Sequence, residues 1–376
     1  MANRFDVIVI GVGSIGAAAC CHLARRGVRV LGLEQFDIPH TLGAHHGQSR
    51  MIRQAYYEHA DYVPLLKRAY TLWDELEKES GETVLHITGG LYMGPPDCGI
   101  LIGSSRACEE HGLPHEMLDR QQLADRYPQF NVPDDFIAFY EEQAGVLLTE
   151  RVMQAHIELS KQHGARLQDN EPVTDWHEDG HGVAVTTTKN TYHADHVVFA
   201  GGAWTDRLVR DLGVPLTVTR QTFGWFAPKN ETPLKLGTMP SWFIDVGDGW
   251  GHYGFPLLPD QPGFKFSLHK PGLTVDVDSV QRTIRSQDQV ELEGEIREKI
   301  PDAAGPCLSV HTCLYTNSPD SHFIIDKHPR CDRATLACGF SGHGFKFVSV
   351  MGEVLADLAT TGRTENPVGF LGLDRF

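Results

Sequence analysis

The segment from Phe5 to Glu34 constrains this chain more than any other. Phe5 to Ile10 is an apolar run of the kind buried on both faces in a parallel sheet. Gly11-Val12-Gly13-Ser14-Ile15-Gly16 follows at once, Ala17 to Arg26 has helical composition, and Gly27 stands where a helix C-cap belongs. Val28 to Leu33 reads as a second strand and ends at Glu34. Strand, G-x-G-x-x-G turn, helix, strand and acidic residue are the full context of a dinucleotide-binding βαβ unit. Gly11 makes the turn, Gly13 lets a pyrophosphate approach, and Gly16 lets helix and strand pack closely. Ser14, Ile15 and Gln35 complete the candidate contacts. Glu34 can accept hydrogen bonds from an unphosphorylated ribose, which fits FAD or NAD rather than NADP. The fingerprint alone does not choose between those two.

The bulk properties narrow the partners. A chain of 376 residues suits two domains or one interleaved pair. The net charge of −16 leaves no basic field for nucleic acid or an anionic membrane. Eight cysteines are scattered without a CxxC pair, so neither a disulfide framework nor a structural zinc site is expected, and a reducing cytoplasm fits. The twenty histidines are dispersed; His45-His46 is the one adjacent pair, and no metal site is expected. No apolar run reaches the ~18 residues of a membrane span. Asp6 and the glycines at 11, 13 and 16 argue against reading the first segment as a signal peptide, and the C-terminal Asp374-Arg375-Phe376 is no peroxisomal address.

Further along, Asp37 to Gln48 is polar and irregular, and Arg50 and Arg53 stand three apart, so on a helical turn both would face one side. Tyr62 to Lys78 has the apolar spacing of a core-facing helix. Gly89 to Gly94 suggests a strand; Cys108 to His115, Gln121 to Tyr127 and Glu150 to Gln162 suggest helices. His196 to Phe199 is a second buried strand, and the glycines at 201 and 202 mark where a sheet meets its cofactor again, a feature of FAD proteins. From Thr217 to Ser318, short aromatic-rich strands suggest a mostly β substrate chamber, with a helix over Ser286 to Lys299. Within it, Lys265 and His269 point the same way if their segment is a strand. Near the C-terminus, Gly339-Phe-Ser-Gly-His-Gly-Phe-Lys346 lies between a strand, Ala334 to Cys338, and a helix, Val348 to Leu358, with Gly362 as its stop. A turn like this exposes backbone N–H groups and a positive helix end, and can hold a phosphate or an electron-rich ring. Lys346 adds a charge there.

The chain resembles the monomeric sarcosine oxidase and N-methyltryptophan oxidase family nearly end to end. The likeness rests on Gly11 to Gly16, Ala44-His-His-Gly-Gln-Ser-Arg-Met-Ile-Arg53, Tyr253-Gly-Phe-Pro256, Cys313-Leu-Tyr315 with Phe323-Ile-Ile-Asp326, and Gly339 to Phe347. It implies an α/β fold: a Rossmann-like FAD domain of the glutathione-reductase/p-hydroxybenzoate-hydroxylase type (residues 1–84, 146–216 and 319–376), interleaved with a mixed-sheet substrate domain (85–145 and 217–318). It implies FAD held by a thioether at Cys313, a substrate carboxylate clamped by Arg53 and Lys346, and a cavity lined by Tyr253, His269, Tyr315 and Gly342. Lys265 matches the lysine at which oxygen is activated. His46, Ser49 and Arg50 match positions around the flavin ring; His45, Val173, Gly201, Trp204, His343, Gly344 and Phe345 are further cofactor contacts. The implied reaction is oxidative demethylation of an N-methyl amino acid by dioxygen, giving the amino acid, formaldehyde and hydrogen peroxide, in a monomer. A flavin dehydrogenase, or an oxidase of another secondary or cyclic amino acid, is the alternative. Gln48-Ser49 in place of an Asp-Thr pair, and His252 in place of a tyrosine, depart from the family pattern beside the substrate cavity.

Overall fold

The computed structural model describes residues 3–209, 211–247, 249–270 and 272–376. Its N-terminal unit is the βαβ read from the sequence: strand Arg4–Ile10, helix Ser14–Arg25 and strand Val30–Leu33, the two strands parallel. Alternation along the first strand divides its side chains between two cores. Val7 and Val9 join the helices, whereas Ile8 and Ile10 join the opposite face with Val197, Phe199 and Leu336. This strand also pairs in parallel with Thr191–Phe199, whose far edge is shared by the antiparallel Val183–Thr187 and the parallel Cys331–Cys338. Arg166–Gln168 extends the sheet beyond Val30–Leu33, and Val173–Glu178 and Ile324–His328 complete its eight strands.

A second, nine-stranded sheet is built from Gly90–Gly94, Glu116–Leu118, Ile137–Glu141 and the strands between Thr217 and Asn317. It is antiparallel except where Gly90–Gly94 lies parallel to Ser241–Gly247. Its longest pairing joins Thr217–Phe226 to Cys307–Asn317 and places Cys313 opposite Gln221. Helix Ser286–Lys299 packs Leu292 and Ile296 into the core of this sheet.

A three-stranded sheet joins the halves: Ser49–Ile52, Gly145–Leu148 and Leu85–Ile87. Arg50 therefore lies on a strand and Arg53 just beyond it, which corrects the helical-turn expectation; pairing with Gly145–Leu148 decides the conformation. The helix expected over Cys108 to His115 instead runs Gly99–His111 and ends at Gly112, which is in the left-handed region. Among the described residues no helix is long and apolar enough to cross a membrane.

Close helix contact underlies the N-terminal unit. Helix Val348–Thr361 crosses helix Ser14–Arg25 where Gly352 meets Ala18, and a Cβ on Gly352 would lie 2.7 Å from the Ala18 carbonyl carbon. Alanine favours helices by about 1 kcal/mol over glycine. Gly352→Ala should nonetheless lower stability by about 1–3 kcal/mol through overpacking. A fall in the urea midpoint at unchanged slope would show this; a raised midpoint would mean that helix propensity wins.

Candidate active site

The carboxyl ends of four parallel strands open onto one cavity. Ile10-Gly11, Leu33-Glu34, Ala200-Gly201 and Ala337 with Gly339 line it, beside Gly13, Ser14 and Ile15 at the first helix N-terminus. The first-turn amides of that helix have no intrahelical acceptors and no side-chain cap. Gly11 has φ +91°, and a Cβ there would lie 2.5 Å from the Ala200 oxygen; a Cβ on Gly16 would lie 1.8 Å from the Gly11 oxygen. Gly16 therefore serves packing and does not line the cavity, whereas Gly13 faces it with only the His45 ring within 4 Å. Glu34 accepts from the Val12 and Phe36 amides at 2.8 and 3.1 Å. Burial pushes its carboxyl up, but His40 and those amides outweigh it and hold the pKa below its ordinary value. Gln35, His45, Arg50, Val173, Trp204, Tyr315, Gly342, Gly344 and Phe345 also line this cavity.

A smaller chamber adjoins it, and Arg50, Tyr315, Gly342 and Phe345 belong to both linings. Arg53, Tyr253, His269, His343 and Lys346 converge there, brought from the end of Ser49–Ile52, from strands Trp250–Gly254 and Phe264–His269, and from the turn before the last helix. The sequence reading missed Met51, Tyr57, Glu58, Tyr92, Ile100 and Phe243, which complete the wall.

Glu58 changes the electrostatics most. Both of its oxygens accept from Arg53 Nη2, at 2.8 and 2.7 Å. Burial opposes the Arg53 charge, but Glu58 more than restores it, so the guanidinium pKa is raised. The ring of Tyr57 lies 4.5 Å from the guanidinium carbon. The loop carrying both residues is fixed by the buried Glu141 carboxylate, which accepts from the Gln54 and Ala55 amides at 2.8 and 2.6 Å. Among the described residues Lys346 has no carboxylate partner in hydrogen-bond range; its Nζ donates to the His343 carbonyl at 2.9 Å. Burial first, then the Arg53 charge, pulls its pKa down to about 7. His269, lowered by burial to about 4, stays neutral, with Nδ1 3.3 Å from the Tyr315 hydroxyl. Beside Arg50, the chamber thus carries one cation compensated by a carboxylate and one that titrates near neutrality.

Lys265, Cys313, His46 and Ser49 line neither cavity but cluster behind their junction. Lys265 Nζ donates to the Gly47 and Ser49 carbonyls at 2.6 and 2.9 Å and lies over the Phe223 ring at 4.9 Å. Burial and the Arg50 charge hold its pKa well below that of an ordinary lysine. Cys313 is a free thiol packed with Phe223, Trp225 and Tyr315. Burial raises its pKa, opposed by the charges of Arg50, Lys265 and Arg282. On its strand it shares a face with Tyr315, a wall of both cavities. His46 packs edge-on against Phe223 and His311. Arg50 donates to the carbonyls of Ala44, His46 and Ser49, leaving its charge unmatched by a carboxylate in contact.

A dinucleotide cavity opening onto a small cation-bearing chamber between two sheets is the layout of a two-domain flavoenzyme. Residues 6–358 match the family described as FAD dependent oxidoreductase. The chain is 43% identical to a monomeric sarcosine oxidase of Streptomyces avermitilis, over 98% of this chain and 97% of the relative. It is 36% identical to an N-methyl-L-tryptophan oxidase of Salmonella heidelberg, over 95% of each. Among solved structures it superposes on NikD, an unusual amino acid oxidase essential for nikkomycin biosynthesis, with TM-score 0.86 and 25% identity over 98% of this chain and 97% of that one. The chain belongs to the FAD-dependent oxidoreductase family, in its branch of monomeric sarcosine oxidases and N-methyltryptophan oxidases. FAD is accordingly its cofactor, and the residues present suit it: uncapped helix amides for a pyrophosphate, Gly13 for close approach, and Glu34 for a ribose.

Titration of Lys346 predicts that the affinity of the chamber for an anion depends on pH. The ammonium form of Lys346 attracts a carboxylate, and that form is lost as pH rises through about 7. The affinity of the holoenzyme for acetate, followed through the flavin spectrum, should fall across that range. In Lys346→Met it should be weaker and lose the step; a step that survives the substitution belongs to another group.

Proposed function

We propose that this protein oxidatively demethylates a secondary N-methyl amino acid, of the sarcosine or N-methyltryptophan type, to the amino acid, formaldehyde and hydrogen peroxide. One observation carries the reading: Arg53 and Lys346, far apart in sequence, converge on a chamber that shares Arg50, Tyr315, Gly342 and Phe345 with the dinucleotide cavity. The names of the curated relatives agree with it. FAD, when bound, accepts two electrons from the N-methyl carbon and delivers them to dioxygen.

The remaining work belongs to the chain. The eight-stranded sheet and its helices form the FAD domain, and the nine-stranded sheet forms the substrate domain. Arg53 and Lys346 hold the substrate carboxylate by charge-assisted hydrogen bonds, which orient the amine. Tyr253, His269 and Tyr315 close the chamber around the amine and exclude water. His269 is neutral, so it adds no charge against the amine. Cys313 Sγ would hold FAD through a thioether at its 8α carbon, the methyl group losing a C–H hydrogen and the thiol its proton while dioxygen takes the two electrons and becomes hydrogen peroxide; Arg50, Lys265 and Arg282 favour the thiolate against burial. Lys265, among three oxygens and aromatic rings, supplies the fixed charge that stabilises the first electron on dioxygen. The turn before the last helix presents Gly344 and Phe345 to the cofactor cavity, so the positive end of that helix lies beside the ring. The protein acts as a monomer in the cytoplasm.

An anaerobic screen of N-methyl and cyclic amino acids for bleaching of the flavin tests the reaction: an N-methyl amino acid should bleach it, and bleaching by none of them would overturn the assignment. Acid precipitation should leave the yellow colour in the pellet of the wild type and in the supernatant of Cys313→Ser. Lys265→Met should slow reoxidation by oxygen at least about 100-fold more than reduction by substrate, as expected for loss of a preorganised charge. Equal losses in both half-reactions, measured by stopped flow, would remove that role.

A further inference from the structure

Tyr56 is fully buried and lines neither cavity, yet two cations of the chamber, Arg53 and Lys346, lie over its ring. The Arg53 guanidinium carbon is 4.6 Å from the ring centroid and Lys346 Nζ is 5.2 Å from it. An aromatic face attracts each cation through its quadrupole, and more strongly in a desolvated site. The ring is pinned at its far end. His343 Nε2 is 2.9 Å from the Ser321 carbonyl, which can only accept, so Nε2 carries the proton and Nδ1 is the acceptor. The Tyr56 hydroxyl therefore donates to His343 Nδ1. Burial keeps both groups in this state, with the phenol pKa raised and the imidazole lowered to about 3. The same His343 accepts from Lys346 Nζ at its carbonyl. Tyr56, His343 and Lys346 thus form a closed circuit of contacts, and Arg53 is attached to it through the ring.

We infer that Tyr56 is a positioning residue: its ring sets the spacing and direction of Arg53 and Lys346, and so the register of the substrate carboxylate. This rests on the reading of Arg53 and Lys346 as a carboxylate clamp. Without the ring, Arg53 would keep Glu58, the Ala55 carbonyl and the Tyr57 ring, and Lys346 the His343 carbonyl, but the aromatic face that the two cations share would be gone.

Acetate and its neutral isostere acetamide separate positioning from mere packing. Both would be titrated into holoenzymes of matched flavin content, wild type, Tyr56→Phe and Tyr56→Leu. Acetate affinity should fall about tenfold or more in Tyr56→Leu, where the cation–π contacts are gone, and only a few-fold in Tyr56→Phe, where the ring loses its tether. Acetamide affinity should not change, and KM should rise more than kcat falls. Parallel losses for both ligands, or an unchanged acetate affinity, would overturn the inference. If Tyr56→Leu does not accumulate as holoenzyme, the acetate-to-acetamide ratio in Tyr56→Phe decides, and an unchanged ratio rejects the role. Acetate binding that is also indifferent to Lys346→Met would overturn the clamp itself, and this inference with it; acetate binding that responds to Lys346→Met but not to the Tyr56 substitutions would overturn this inference alone.

Discussion

Three cationic side chains are buried where the two large sheets meet, and much of the surrounding structure supplies them with polar partners. Removing an ammonium or guanidinium from water costs several kcal/mol unless polar partners replace the lost hydration. Each of the three finds a different replacement. Arg53 takes both oxygens of Glu58, Lys265 takes two carbonyls and a hydroxyl, and Lys346 takes one carbonyl. The Glu58 carboxylate is why Arg53 gains affinity for its proton, whereas Lys265 and Lys346, buried with only carbonyl and hydroxyl acceptors, have their pKa values lowered.

The interleaving of the two halves follows from the same need. The dinucleotide cavity is built from strand ends of one sheet, and the chamber wall from strands of the other. Neither half alone encloses the junction. The small three-stranded sheet carries Ser49 and Arg50 into it on an edge strand paired to Gly145–Leu148, whose other side pairs with Leu85–Ile87.

Much of this was legible in the sequence where chemistry is local. The βαβ unit announces itself because its glycines answer contacts within one turn, and the helix Ser286–Lys299 has the limits that its composition suggests. Features set by distant pairing were not legible. Two arginines three apart fit a helical turn as well as a strand end, and only the partner strand Gly145–Leu148 decides between them. The helix Gly99–His111 begins with weak helix formers. Its Gly103 is required by tertiary contact, since a Cβ there would lie 2.5 Å from the Tyr57 oxygen. Glu58 was invisible because it returns to Arg53 through an irregular loop, where a spacing of five residues has no periodic sign. The available signal was a carboxylate following two tyrosines, five residues after Arg53 and three before Asp61. For Gly16, His46, Ser49, Lys265 and Cys313, the sequence named the residues but not their depth behind the cavity walls.

Glu141 grips main-chain amides, not side chains, at Gln54 and Ala55. These bonds are therefore indifferent to the side chain at either position, provided that each still has an amide hydrogen. Packing adds its own limit at Ala55, which is fully buried in a cluster with Tyr92, Ile100 and Phe139. Variation can accumulate at the half-buried Gln54 without disturbing the guanidinium next door. Proline is the exception, because it would deprive the carboxylate of a donor. The chain beside the chamber thus has one position free to diversify over evolutionary time while its anionic anchor keeps the charged residues in register.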